Sequence, residues 1–260
     1  MEGAVFFAMM GCSRMELEVC VDSVESAVAA ANGGAERIEL CSALSEGGIT
    51  PSAGLISAVR AAVDIQLFVI VRPRGGNFVY SDHELDVMRR DIVEAKARGV
   101  NGVVLGVLTS EDTVDTVRTR ELIALSRPLP VTFHRAFDVC EDMDRALEDV
   151  IDCGADRLLT SGGKADAVKG MNNIAVLQRK AGNRIRIMAG GGIRISNVRT
   201  IALCTGIREV HTSLSTQVRS TAYDGGAEVN ALHGGFTRFL VREADVRAFK
   251  SALHAISLGD

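Results

Sequence analysis

The 260-residue chain has no tryptophan, only two tyrosines and four prolines, and no excess of positive charge: 29 Lys and Arg stand against 33 Asp and Glu, a formal charge of −4. Without a basic face for a phosphate backbone, nucleic acid is not an expected partner. The apolar run at residues 4–10 has no basic residue ahead of it and is too short to cross a bilayer, so neither a secretory signal nor a membrane anchor is read there. Residues 1–14 read as an extension outside the fold. Six cysteines, Cys12, Cys20, Cys41, Cys140, Cys153 and Cys204, form no CxxC pair. With no secretory signal they are expected to be reduced thiols of a cytoplasmic protein. What the chain does have is 47% apolar residues and 26 glycines, ample core material with many tight turns.

Short β-rich runs alternate with longer amphipathic stretches from residue 15 to the end. Strands are expected at 16–21, 37–41, 67–72, 102–106, 131–134, 157–160, 185–189 and 208–213. Helices are expected at 23–32, 51–63, 82–98, 114–126, 142–153, 167–181, 196–205 and 243–256. Ser23, Ser81, Glu141 and Ser196 stand near helix starts, Thr50 can cap a helix entered at Pro51, and Gly33, Gly99, Gly154 and Gly206 can supply left-handed caps. Eight strand and helix pairs close most simply as one (β/α)₈ TIM barrel, an α/β fold, over residues 15–260. A doubly wound open sheet is the alternative, but no GxGxxG follows the first strand. Residues 214–233 break the rhythm and are expected to be irregular, with a short extra strand at 236–241.

Period-two alternation assigns Leu17, Val19 and Val21 to the helix-facing side of the first strand, and Glu16, Glu18, Cys20 and Asp22 to the barrel side. Likewise Arg37, Glu39 and Cys41 face inward on the second strand, and Glu209, His211 and Ser213 share a face on the eighth. The third strand runs into Arg72 and Arg74, the fifth into His134 and Arg135. A barrel needing only stability fills its interior with Val, Ile and Leu, because buried charges are costly unless paired. Two readings follow: an internal ion-pair network, in which Arg72, Arg37 or His134 holds Glu18 and Glu39, or a ligand site at the carboxyl ends of the strands. In the second, Glu18, Glu39, His134 and His211 are the acid–base candidates and Arg72 and Arg74 the anion clamps. The glycine turns at Ser161 and at Gly191 and Gly192, with Ser213, either cradle an oxyanion or allow close packing of strand on helix.

The motifs Leu17-Glu18-Val19-Cys20-Val21-Asp22-Ser23, Gly34-Ala35-Glu36-Arg37-Ile38-Glu39-Leu40-Cys41-Ser42, Arg72-Pro73-Arg74-Gly75-Gly76, Thr132-Phe133-His134-Arg135-Ala136-Phe137-Asp138 and Gly190-Gly191-Gly192-Ile193 resemble the CutC family. The resemblance implies a (β/α)₈ fold, a cytoplasmic homo-oligomer (dimer or tetramer), and a contested role in copper homeostasis, with Cys20 and Cys41 as Cu(I) ligands. Soft thiolates favour Cu(I). The alternative for the same pair is two inert core thiols. Two functions are therefore open: a Cu(I)-binding homeostasis protein, or a barrel enzyme of unknown reaction acting on a small phosphorylated or carboxylated anion.

Overall fold

The structure, a computed structural model, describes residues 15–219 and 237–256. Eight parallel strands close a barrel in chain order: β1 (Glu16–Val21), β2 (Arg37–Leu40), β3 (Gln66–Ile70), β4 (Gly102–Leu105), β5 (Val131–Phe133), β6 (Arg157–Thr160), β7 (Arg186–Ala189) and β8 (Glu209–Thr212). Helices α1 (Val24–Asn32), α2 (Ala53–Ala62), α3 (Asp82–Ala97), α4 (Thr116–Ser126), α5 (Met143–Asp152), α6 (Met171–Ala181), α7 (Ile195–Thr205) and α8 (Glu243–His254) follow the strands in turn. This is the (β/α)₈ barrel expected from the alternation. None of the described helices is long and apolar enough to cross a membrane.

Local chemistry explains most helix starts. Ser23 accepts from the Ser26 amide to cap α1, and Ser81 and Glu84 form a capping box on α3. Three expected N-caps and one C-cap are displaced. Helix α2 begins at Ala53 under Ser52, not at Pro51, because the Thr50 hydroxyl is engaged by the Arg72 amide at the end of β3. Asp142, not Glu141, caps α5, and Ser196 lies inside α7. Gly33 is right-handed, and its neighbour Gly34 takes the left-handed backbone. Gly33 is small because a Cβ there would stand 2.4 Å from Val246 of α8.

Residues 214–233, expected to be irregular, begin instead with β9 (Ser215–Arg219), which pairs antiparallel with β10 (Thr237–Val241), the expected extra strand. Thr216 faces Leu240 and Val218 faces Arg238, so a ladder supplies order that composition does not reveal. Residues 1–14, 220–236 and 257–260 lie outside the described residues.

The main apolar core lies between the barrel and its helices, where Leu17, Val19 and Val21 pack as the alternation requires. A separate small cluster, Cys20, Cys41, Phe68, Ile70 and Val104, fills the barrel interior. Gly102 makes room for Phe68: a Cβ there would lie 2.4 Å from the ring.

Candidate functional site

The polar residues inside the barrel divide into two layers. The register pairs Glu18 with Arg37 and with His211, and Cys20 with Glu39. In the lower layer, Arg37 is ion-paired through Nε to Glu18 and through Nη2 to Glu209 at 2.7 Å, while Arg157 also pairs with Glu209. Both guanidiniums lie against the Phe68 ring, 5.1 and 5.5 Å from its centroid. Burial by itself would raise the Glu18 carboxyl, but Arg37 and His211 hold it at about 2. The internal ion-pair network weighed above is therefore present for Glu18, held by Arg37, whereas Glu39 faces His211 and is ion-paired with none of the three expected partners. Glu18 belongs to it and is fully buried.

The upper layer opens into a cavity of about 460 Å³ at the carboxyl ends of the strands. Cys20, Glu39, Arg72, His134, His211, Gly191, Gly192 and Ser213 all line it, so eight of the expected site residues meet there. Cys41 lies just behind, its sulfur 3.4 Å from that of Cys20. The Cys20 sulfur, a Glu39 oxygen and a His211 nitrogen lie within 4.8 Å of one another. The hydrogen bond to Cys41, burial and the Glu39 carboxylate push the Cys20 thiol well above its ordinary value. Burial also raises Glu39, with His211 opposing and Glu18 adding.

Three expected anion donors are differently employed. Arg72 lines the cavity, but its terminal nitrogens donate to the Glu46, Gly48 and Gly76 carbonyls at 2.8, 3.0 and 2.7 Å, so it fastens two loops together. Arg74 stands away from the cavity lining, paired with Glu84 at 2.5 Å and stacked on Tyr80. Ser161 is taken by Asp138: its amide and hydroxyl donate to that carboxylate at 2.9 and 2.8 Å, and Gly163 adds its amide at 3.0 Å. The β6 turn does cradle an oxyanion, but the oxyanion is the chain's own.

His134 is buried in the cavity wall beside Phe78, ring centroids 5.0 Å apart. Burial, joined by the charge of Arg72, drives its pKa down to about 3, so the ring is neutral at neutral pH. Its Nδ1 accepts from the Ala136 amide at 3.2 Å. The one ring proton therefore sits on Nε2, which has no partner among the described residues. Arg135, which the sequence places beside His134 at the strand ends, also lines the cavity, and Arg194, which sequence reading missed, does so too. Arg194 follows a glycine run that has no fixed side-chain direction.

Among known proteins, a family protein CutC of Chromobacterium violaceum is 43% identical over 240 residues, covering 91% of this chain and 97% of the relative. A human protein named copper homeostasis protein cutC homolog is 50% identical over 209 residues, covering 80% and 75%. A CutC crystal structure from Streptococcus agalactiae superposes with a TM-score of 0.73 at 34% identity, covering 76% of this chain and 98% of that one. The CutC family profile matches residues 15–216, the barrel strands together with the cavity they carry, and the chain belongs to the CutC family.

Proposed function

We propose that this protein acts in copper homeostasis by binding Cu(I) at the carboxyl ends of β1 and β2. The observation that carries this reading is the contact of the Cys20 and Cys41 sulfurs at 3.4 Å on the edge of a cavity that also presents His211 and Glu39. Two thiolates and an imidazole are a donor set that suits the soft cuprous ion. Metal–thiolate bonds of about 2.3 Å let two sulfurs stand up to about 4.6 Å apart across one ion, so the observed spacing is within reach of a shared metal. The five described cysteines are all unpaired, which fits a reducing compartment such as the cytoplasm. Binding replaces the thiol protons with the ion. Titration of Cu(I) against a chromogenic cuprous chelator, in anaerobic reducing buffer, tests the site. The parent should take one equivalent and the Cys20→Ser, Cys41→Ser protein should lose it; parental affinity in the double variant assigns any copper elsewhere.

A second reading is supported by the size of the cavity, which far exceeds an ion and falls in the range of small-metabolite sites. In that reading the protein is a barrel enzyme acting on a small organic anion, with Glu39, His134 and His211 as proton carriers. A thermal-shift screen with sugar phosphates and small carboxylates tests it, and the absence of any stabilising compound counts against it.

A further inference from the structure

The turn after β7 carries two consecutive left-handed residues, Gly191 at φ +90° and Gly192 at φ +70°. Successive amides in such turns form a concave donor surface suited to anions. The equivalent surface after β6 is filled by Asp138, but the Gly191 and Gly192 amides donate to no described residue. A Cβ on Gly191 would stand 3.4 Å from the Arg135 guanidinium, an ordinary van der Waals distance, so that cation lies directly over the turn. Arg135 commits Nε to Asp138 and Nη2 to Ser161, both at 2.8 Å, and its Nη1 has no partner among the described residues. Arg194, at the N-terminal end of the eleven-residue helix α7, lines the same cavity and makes no salt bridge with a described residue. Two cations, of which Arg135 is paired to Asp138 through Nε and Arg194 to no described carboxylate, two amides open among the described residues and a helix N-terminus therefore converge on one cavity.

An independent feature of the wall points to the rest of the ligand. His134 Nε2 is a buried donor without an acceptor among the described residues, and a native structure rarely leaves such a group unmatched. Within a cavity of about 460 Å³, the missing partner is an acceptor oxygen on a small molecule.

We propose that the cavity binds a phosphate ester of a small polyol or sugar, with the phosphate on the Gly191 and Gly192 amides between Arg135 and Arg194, and an oxygen of the organic part accepting from His134 Nε2. This rests on the second reading above, narrowing its organic anion to a phosphate ester, and it is independent of the thiol pair. Two guanidiniums favour the higher charge of a phosphate over that of a single carboxylate.

Calorimetric titration of the full chain with glycerol 3-phosphate, inorganic phosphate, glycerol and succinate, at constant ionic strength, tests it. Glycerol 3-phosphate should bind saturably at one site and glycerol should not. Arg194→Gln, at an exposed position that leaves the barrel intact, should weaken both phosphate compounds by about tenfold. His134→Asn retains an acceptor for the Ala136 amide but loses the Nε2 donor. It should weaken glycerol 3-phosphate by about fivefold and leave inorganic phosphate unchanged. The Cys20→Ser, Cys41→Ser protein should bind glycerol 3-phosphate as the parent does. Binding of succinate without either phosphate compound overturns the phosphate assignment and spares the second reading, whereas binding of none of the four overturns both. Parental affinity in both Arg194→Gln and His134→Asn overturns the placement.

Discussion

His211 reaches Glu18 through Nδ1 at 2.7 Å and stands 3.7 Å from Glu39 through Nε2. One imidazole thus joins the charged layer inside the barrel to the wall of the cavity. Burial alone would lower its pKa, but Glu39 and then Glu18 raise it above the ordinary 6.5. An NMR titration should place the His211 midpoint above that value, and Glu39→Gln should bring it down by removing the stronger of the two carboxylate charges. A midpoint unmoved in the variant would show that Glu39 does not face the ring in solution.

Glu209 is shared by two buried arginines, and for Arg157 it is the only carboxylate partner among the described residues. Glu209→Leu strands that guanidinium in the barrel and should destabilise the fold by about 3–5 kcal/mol in urea unfolding. Adding Arg157→Met removes the stranded charge and should recover part of the loss. A single-variant loss below about 1 kcal/mol would mean the pair behaves like a surface bridge.

His134 makes stability sensitive to acid in a defined direction. Its folded pKa of about 3 lies below the 6.5 of the unfolded chain, so between those values the unfolded state binds the extra proton. The contribution is fully present above pH 6.5 and is lost as pH falls towards 3. His134→Asn should flatten this limb of the stability curve, leaving the steeper carboxylate-driven loss below it. An unchanged slope between about pH 6 and about pH 5, on the limb just below the free imidazole pKa, would contradict the assignment.

Gly102 is fixed by volume, since its φ is not in the left-handed region. Gly102→Ala drives a methyl group into the Phe68 ring and should lower stability by about 1–3 kcal/mol. Phe68→Leu in the same chain should relieve the overlap. If the alanine alone unfolds at the parental temperature, the ring has room that the packing does not indicate.

The barrel was legible because its signals are local. Leu17, Val19 and Val21 alternate with Glu18 and Cys20, so the covalent geometry of a strand assigns each to a face without reference to the rest of the chain. Ser23 and Ser81 announced their helices for the same reason. Thr50 and Pro51 misled, because the Thr50 hydroxyl answers to Arg72, 22 residues away. The strand at residues 215–219 was likewise invisible, its order coming from a partner at 237–241.

Within the site, inward direction was readable and pairing was not. The sequence by itself determined which residues enter the barrel, since strand period decides faces one residue at a time, and the family motifs agreed with that sorting. Only the tertiary structure decided what each does there. Closure and register brought Cys41 to Cys20 and buried Glu18 against Arg37. They also gave the β6 cradle to Asp138 and tied Arg72 to three carbonyls, while the β7 turn stayed open beside Arg135. These outcomes depend on distances between strands far apart in the chain, which residue order does not encode locally.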